Sequence, residues 1–212
     1  YRDSCFWIYF LFYPYSIYMI KRVFKFFIFL FFLSVLSFAV YQIYILEKTE
    51  VIDIIFTNDI HGHIFAEKED TGFLRGGFPA LSTFLKKEKN PYILVDAGDI
   101  FQGTPEGNFT KGKVIIDAMN YLGYKVMEIG NHEIDYGTEN LKELSQKARF
   151  TFLGANFVRE KDNGLPKWLK PYKIFKVGNY RIGFIGVVTS QLPKISIKEN
   201  MKGFKVLEEI DT

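Results

Sequence analysis

Apolar residues follow two different patterns along this chain. In residues 26–46 they are nearly continuous and occupy every face of a helix. From residue 50 onward, short apolar runs alternate with segments whose apolar positions recur every three or four residues. "VIDIIFTN" (51–58), "YILVDAGD" (92–99), "KVMEIGNHE" (125–133) and "FTFLGAN" (150–156) predict four strands. Three helices are predicted between them. "RGGFPALSTFLKKEKN" places Pro79 in a first turn and repeats Leu81, Phe84 and Leu85 at helical spacing. "KGKVIIDAMNYLGY" puts Val114, Ile115, Ala118, Met119 and Leu122 on one face and closes at Gly123. "TENLKELSQKA" is the third, and "YKIFKVGNYRIGFIGVV" reads as a hairpin turning at Gly178-Asn179. Strands alternating with amphipathic helices predict an α/β layered βαβ sandwich with a largely parallel sheet. Side chains that bind ligands gather at the carboxyl ends of such strands.

The first fifty residues form a separate region. From Met19, the basic residues Lys21, Arg22 and Lys25 precede an apolar run over residues 26–40 and the small-residue stretch "SFA" (37–39). That is the organisation of an export signal over residues 19–46, with residues 1–18 as an upstream extension. Continued to Leu46, the run reaches about 21 residues and could span a bilayer. A cleaved signal and a retained anchor therefore both fit, and a buried core helix fits poorly because no face is polar. In either case the basic flank places the residues after 47 outside the cytoplasm.

Composition narrows the chemistry. A net charge of +3 without a dense basic patch gives no support for a nucleic-acid polymer as partner. The single cysteine, Cys5, excludes a disulfide framework and thiolate metal sites. There is no internal repeat.

Polar clusters end three of the predicted strands. The first holds Asp59, His61 and His63 in "NDIHGH", the second Asp99 in "AGD", and the third Asn131, His132, Glu133 and Asp135 in "IGNHEID". Carboxylate, imidazole and amide oxygen together suit divalent ions such as Mn, Zn or Fe. On an extended segment, Asp59 and His61 would point to one side and grip one ion. Gly62, Gly98 and Gly130 stand where the backbone would turn sharply toward a ligand. Taken singly, Asp99 or Asn131 reads as an ordinary turn former or helix cap. The joint pattern favours a metal site, because all three histidines of the chain lie inside two of the clusters. His63 and Glu133 are its weakest members and read as supporting or solvated residues.

The stretches "NDIHGH", "DAGDIFQGTPEGNFTKGKVIIDAMNYLGY" and "IGNHEIDYG" resemble the metallophosphatase domain of the 5'-nucleotidase family, within the calcineurin-like phosphoesterases. The short motifs mark the broad superfamily and the longer middle stretch marks the nucleotidase branch. Ile134 stands where that branch often has Phe, a conservative change. The resemblance implies two divalent ions (Mn, Zn, Fe, Co or Mg). Asp59 and His61 would be ligands of the first, Asp99 the bridging carboxylate, and Asn131 an amide ligand of the second. His132 would stabilise the transferred phosphoryl group, with Asp135 orienting it. The reaction implied is hydrolysis of nucleotides or related phosphate esters by activated water, without a phosphoenzyme.

The family also takes further histidine ligands from the second half of the domain, and substrate contacts from a separate C-terminal domain. No histidine follows His132, and "GFKVLEEIDT" (203–212) reads as chain leading into another helix. Residues 50–212 are thus expected to be the N-terminal part of such a domain, with little or no activity alone. A cyclic-nucleotide phosphodiesterase, a UDP-sugar hydrolase or a thiosulfate-oxidation hydrolase would share this half. The competing expectation is a non-catalytic tethered or secreted remnant that binds one metal or a partner. A plain structural domain is the third.

Overall fold

The computed structural model describes residues 6–47 and 51–209, which belong to two compact units, residues 1–50 and 51–212. The first unit is one helix, α1 (Phe6–Glu47). Its stretch Ile17–Ile45 has a mean hydropathy of 2.5 and none of it is buried. At about 1.5 Å per residue this is longer than the ~30 Å of a bilayer's hydrocarbon core. The helix runs through Met19 without a break. Cys5, the start of the expected upstream extension and residues 210–212 lie outside the described residues.

The second unit is built on a four-stranded parallel sheet. In chain order its elements are β1 (Asp53–Thr57), a small pair β2 (Glu67–Lys68) and β3 (Leu74–Arg75), α2 (Gly77–Leu85), β4 (Tyr92–Asp96), α3 (Pro105–Thr110) and α4 (Lys113–Leu122). Then come β5 (Val126–Glu128), α5 (Thr138–Lys147), β6 (Thr151–Leu153), β7 (Phe157–Arg159), the hairpin β8 (Tyr172–Val177) and β9 (Tyr180–Ile185), α6 (Leu192–Ile195) and β10 (Phe204–Val206). The sheet order is β1-β4-β5-β6, with Phe56 beside Val95 and Val95 beside Val126. All four strands, the three helices and the hairpin fall where the pattern of apolar positions puts them.

Alternation along each strand decides what each face of the sheet buries. Leu94, Met127 and Phe152 join Phe78 and Leu85 of α2, Ile115, Ile116 and Met119 of α4, and Leu141 and Leu144 of α5 in the main core. Ile93, Val95, Val126 and Leu153 face the other way and are covered by Phe175, Val177, Ile182 and Phe184 of the hairpin. Each fully buried side chain of this size contributes roughly 1.5–3 kcal/mol. The helical faces differ in detail from the periodic reading. Ile116 is fully buried, while Val114, Ala118 and Leu122 flank the core. Phe84 is exposed, and Phe78 takes its place at the inward face of α2.

One edge of the sheet is only half protected. β1 ends the strand order, and its Ile54 and Phe56 share the hairpin-side face with buried Ile93 and Val95. They are nevertheless 44% and 68% exposed, because the hairpin covers β4, β5 and β6 but not β1.

The segment expected to lead into another helix begins with a strand: Phe204–Val206 pairs antiparallel with β7. Buried Asn156 fastens this region. Its Nδ2 donates to the carbonyls of Val188 (2.7 Å) and Leu207 (3.0 Å), and its Oδ1 accepts from the Val188 amide (2.8 Å).

Candidate active site

The carboxyl ends of β1, β4 and β5 lie side by side, and the loops that leave them stay hydrogen-bonded to one another. Past the last ladder pair, Ala97 N donates to Thr57 O, Asp59 N to Gly98 O, His61 N to Asp99 O and Gly62 N to Ile100 O. This exchange requires unusual backbone. Asp59 (φ 52°), His61 (φ 48°) and Asp99 (φ 57°) are three of the five described non-glycine residues in the left-handed region. Each such residue costs on the order of 1–3 kcal/mol, and strain of this kind collects at functional sites. The extended geometry expected for "NDIHGH" is therefore overturned. β1 stops at Thr57, and Asp59 and His61 meet through left-handed turns rather than by alternation.

They do meet. His61 Nε2 lies 3.5 Å from Asp59 Oδ1. The other ring nitrogen, Nδ1, is 3.2 Å from the Gln102 carbonyl, which can only accept, so Nδ1 carries the proton. In the neutral ring, Nε2 then turns a lone pair toward a carboxylate oxygen. Two acceptors facing each other make a position suited to a cation or a second proton. A metal-ligating histidine is fixed by its second nitrogen in the same way.

The third loop joins through Asp99, whose Oδ1 accepts the backbone N–H of His132 at 2.9 Å. The His132 ring stands edge-on to His61, with centroids 4.8 Å apart. Its Nδ1 is 2.7 Å from Asp135 Oδ2, a hydrogen-bond contact made local by the 3-10 turn His132–Ile134. Asn131 sits just before this turn, half-buried. The structure thus gathers Asp59, His61, Asp99, His132 and Asp135 at one sheet edge. Among the described residues, however, no three His, Cys, Asp or Glu side chains converge closely enough to hold one ion.

The two weaker members of the clusters separate. His63 is exposed and pairs with Glu67 at 3.0 Å, on the solvent side. Glu133 is fully buried, not solvated. Its Oε2 accepts the amides of Asp99 (2.8 Å) and Gly130 (2.7 Å), and its Oε1 that of Ile100 (2.8 Å). Burial pushes the Glu133 carboxyl up to about 7 against the pull of these donors. Glu128 is also raised to about 7, chiefly by burial.

Sequence reasoning passed over two further features. Asp96, buried at the end of β4, accepts from Thr57 Oγ1, which also hydrogen-bonds Tyr124 Oη, and from the Gly98 amide at 2.9 Å. Burial raises its carboxyl to about 7. α3 carried a readable start signal: Thr104 caps it by accepting from the Gly107 amide, Pro105 fills the first turn, and Glu106 follows.

The glycines serve space as much as conformation. A Cβ on Gly130 would lie 2.3 Å from Asp99 Oδ1 and 2.8 Å from Asp99 N. Gly130→Ala is accordingly expected to displace the Asp99 loop and cost about 1–3 kcal/mol. In thermal melts this means a midpoint several degrees lower; an unchanged midpoint would show that the loop yields freely.

The family model described as calcineurin-like phosphoesterase matches residues 52–200. The chain belongs to the calcineurin-like phosphoesterase family. Among its relatives, a snake venom 5'-nucleotidase of Gloydius brevicauda is 34% identical over 157 residues, which cover 68% of this chain and 26% of the relative. A 5'-nucleotidase of Bos taurus is 33% identical over 160 residues, covering 68% and 27%. The crystal structure of a 5'-nucleotidase precursor from Thermus thermophilus superposes with a TM-score of 0.66 at 30% identity, covering 74% of this chain and 32% of that one. This phosphoesterase chain thus spans about a quarter of the length of those curated relatives.

Proposed function

We propose that this phosphoesterase unit serves the hydrolysis of nucleotides or related phosphate esters outside the cytoplasm. In this reading Asp59, His61, Asp99 and Asn131 hold divalent ions, and His132 with Asp135 acts on the phosphoryl group. The observation that carries it is the His132–Asp135 pair at 2.7 Å, set edge-on to His61. Asp135 accepts the Nδ1 proton and fixes the ring. With both ring nitrogens protonated, Nε2–H donates to a phosphoryl oxygen as negative charge builds, or protonates the leaving oxygen. Divalent ions, when bound, supply charge neutralisation and a more acidic water. The donor types and the lone pair that His61 turns toward Asp59 suit such ions.

Export rests on the long apolar stretch Ile17–Ile45, which carries Lys21, Arg22 and Lys25 near its start and acts as signal or anchor. The 26% share of the venom relative supports reading residues 50–212 as the N-terminal part of the domain. A companion reading, one weakly held metal without turnover, is favoured by the lack of any converging group of three ligands among the described residues.

The test uses the full chain in detergent micelles. Mn2+ is expected to bind, and Asp99→Asn to weaken it at least tenfold. Phosphate release from AMP is expected far below the ~10 s⁻¹ of a typical enzyme. Absence of Mn2+ binding would sink the metal reading, and ordinary turnover would sink the expectation of inactivity alone.

A further inference from the structure

We propose that Glu133 is the positioning residue for the Asp99 carboxylate, a role that rests on reading Asp99 as a metal ligand. Glu133 touches neither substrate nor metal position. Its carboxylate is enclosed, and its two oxygens accept three backbone N–H groups drawn from two different loops. Two of those groups belong to Asp99 itself and its neighbour Ile100, after β4. The third belongs to Gly130, after β5, and a Cβ at that position would already touch Asp99 Oδ1. One side chain therefore fixes both the backbone that carries Asp99 and the glycine that leaves room for its carboxylate.

The arrangement needs a carboxylate in particular. All three partners are donors, so the side chain between them must be acceptor-only. In Glu133→Gln the amide oxygen can keep Asp99 N and Gly130 N at the Oε2 position. The amide NH2 then opposes the Ile100 N–H, donor against donor, and that group loses its partner. The left-handed Asp99 (φ 57°) is strained for a residue with a Cβ, and the Glu133 contacts are among those that hold it there.

The experiment compares the full chain in detergent micelles with three variants. Glu133→Gln is the probe, Asp99→Asn tests the ligand assignment, and Ile116→Val is a core substitution on α4. Amide hydrogen exchange reads the loops, electron paramagnetic resonance of free Mn2+ reads affinity, and thermal melts read stability. Glu133→Gln is expected to speed exchange at Ile100 by at least tenfold and to weaken Mn2+ tenfold to a hundredfold, the range typical of residues that orient metal ligands. Ile116→Val is expected to lower the melting midpoint with Mn2+ affinity intact, which separates positioning from general loss of stability. Should Glu133→Gln fail to fold, Glu133→Asp keeps the charge but withdraws it by one methylene, and is expected to weaken Mn2+ to a lesser degree. If Asp99→Asn weakens Mn2+ and neither Glu133 variant does, the positioning role is overturned and the metal reading stands. If Asp99→Asn binds Mn2+ as the parent does, or the parent binds none, the metal reading fails and the positioning role with it.

Discussion

Asn156→Ala is expected to destabilise the chain by about 3–5 kcal/mol, at the upper end of what one substitution does. The side chain is fully buried and serves three backbone groups: the Val188 amide, the Val188 carbonyl and the Leu207 carbonyl. Alanine fills little of the space and leaves all three without partners, and each buried orphan costs roughly 1–3 kcal/mol. The damage would spread along the chain, because Val188 leaves the hairpin that covers one face of the sheet and Leu207 follows the strand paired with β7. For a unit of this size, the melting midpoint should fall by about 10 °C. Asn156→Asp should be no better, since a carboxylate keeps the acceptor but loses both donor contacts and buries a charge. A midpoint within about two degrees of the parent would show that water reaches these groups and that the clamp is unimportant.

Asp96→Asn is expected to stabilise the chain at pH 8 and to leave it nearly unchanged at pH 4. The carboxyl is raised from 3.8 to about 7 by burial. The folded chain therefore keeps this proton up to about pH 7, while the unfolded chain releases it near pH 4. Between those values the folded state binds more protons, so stability falls as pH rises, and above pH 7 the full penalty is in force. Asparagine does not titrate and escapes the penalty, a gain on the order of 2–4 kcal/mol at about 1.4 kcal/mol per unit. The site accepts the amide without rearrangement. Its oxygen can keep the Gly98 amide, and its NH2 can donate to Thr57 Oγ1, whose own proton then turns to Tyr124 Oη. Glu128 and Glu133 titrate in the same window but are common to both proteins, so the difference isolates Asp96. Urea titrations at the two pH values give the comparison, and an equal effect at both would show that Asp96 stays ionised when folded.

The parts of the fold visible in the sequence are those set by local periodicity. β4 and β5 announce themselves because apolar residues fill consecutive positions, and α4 because Ile115 and Met119 recur one turn apart and Gly123 stops the helix in a left-handed turn (φ 84°). β7 and β10 gave no such signal. Each has three residues, and their pairing joins positions about fifty residues apart. At the candidate site, residue types were readable and geometry was not. That Asp59 and His61 would be neighbours was expected on the wrong grounds, since no pattern reports a left-handed aspartate or histidine. The solvated alternative for Glu133 failed for a related reason, while the supporting one stands. In the sequence Glu133 is one more charge in a polar cluster, and only the amides of two other strand ends make its burial tolerable.

The outermost strand of the sheet bears on how this chain behaves in bulk. β1 offers a free backbone edge among the described residues, and Ile54 and Phe56 project into solvent beside it. An extended, apolar, unprotected edge is a template for strand exchange between molecules. Charged gatekeepers are sparse on it, with Asp53 at one end and none between Ile54 and Thr57. Colloidal behaviour, rather than conformational stability, then sets the concentration at which the chain can be handled. A lysine in place of Phe56 is the natural solubilising change, since that side chain contributes contact area to neither core cluster.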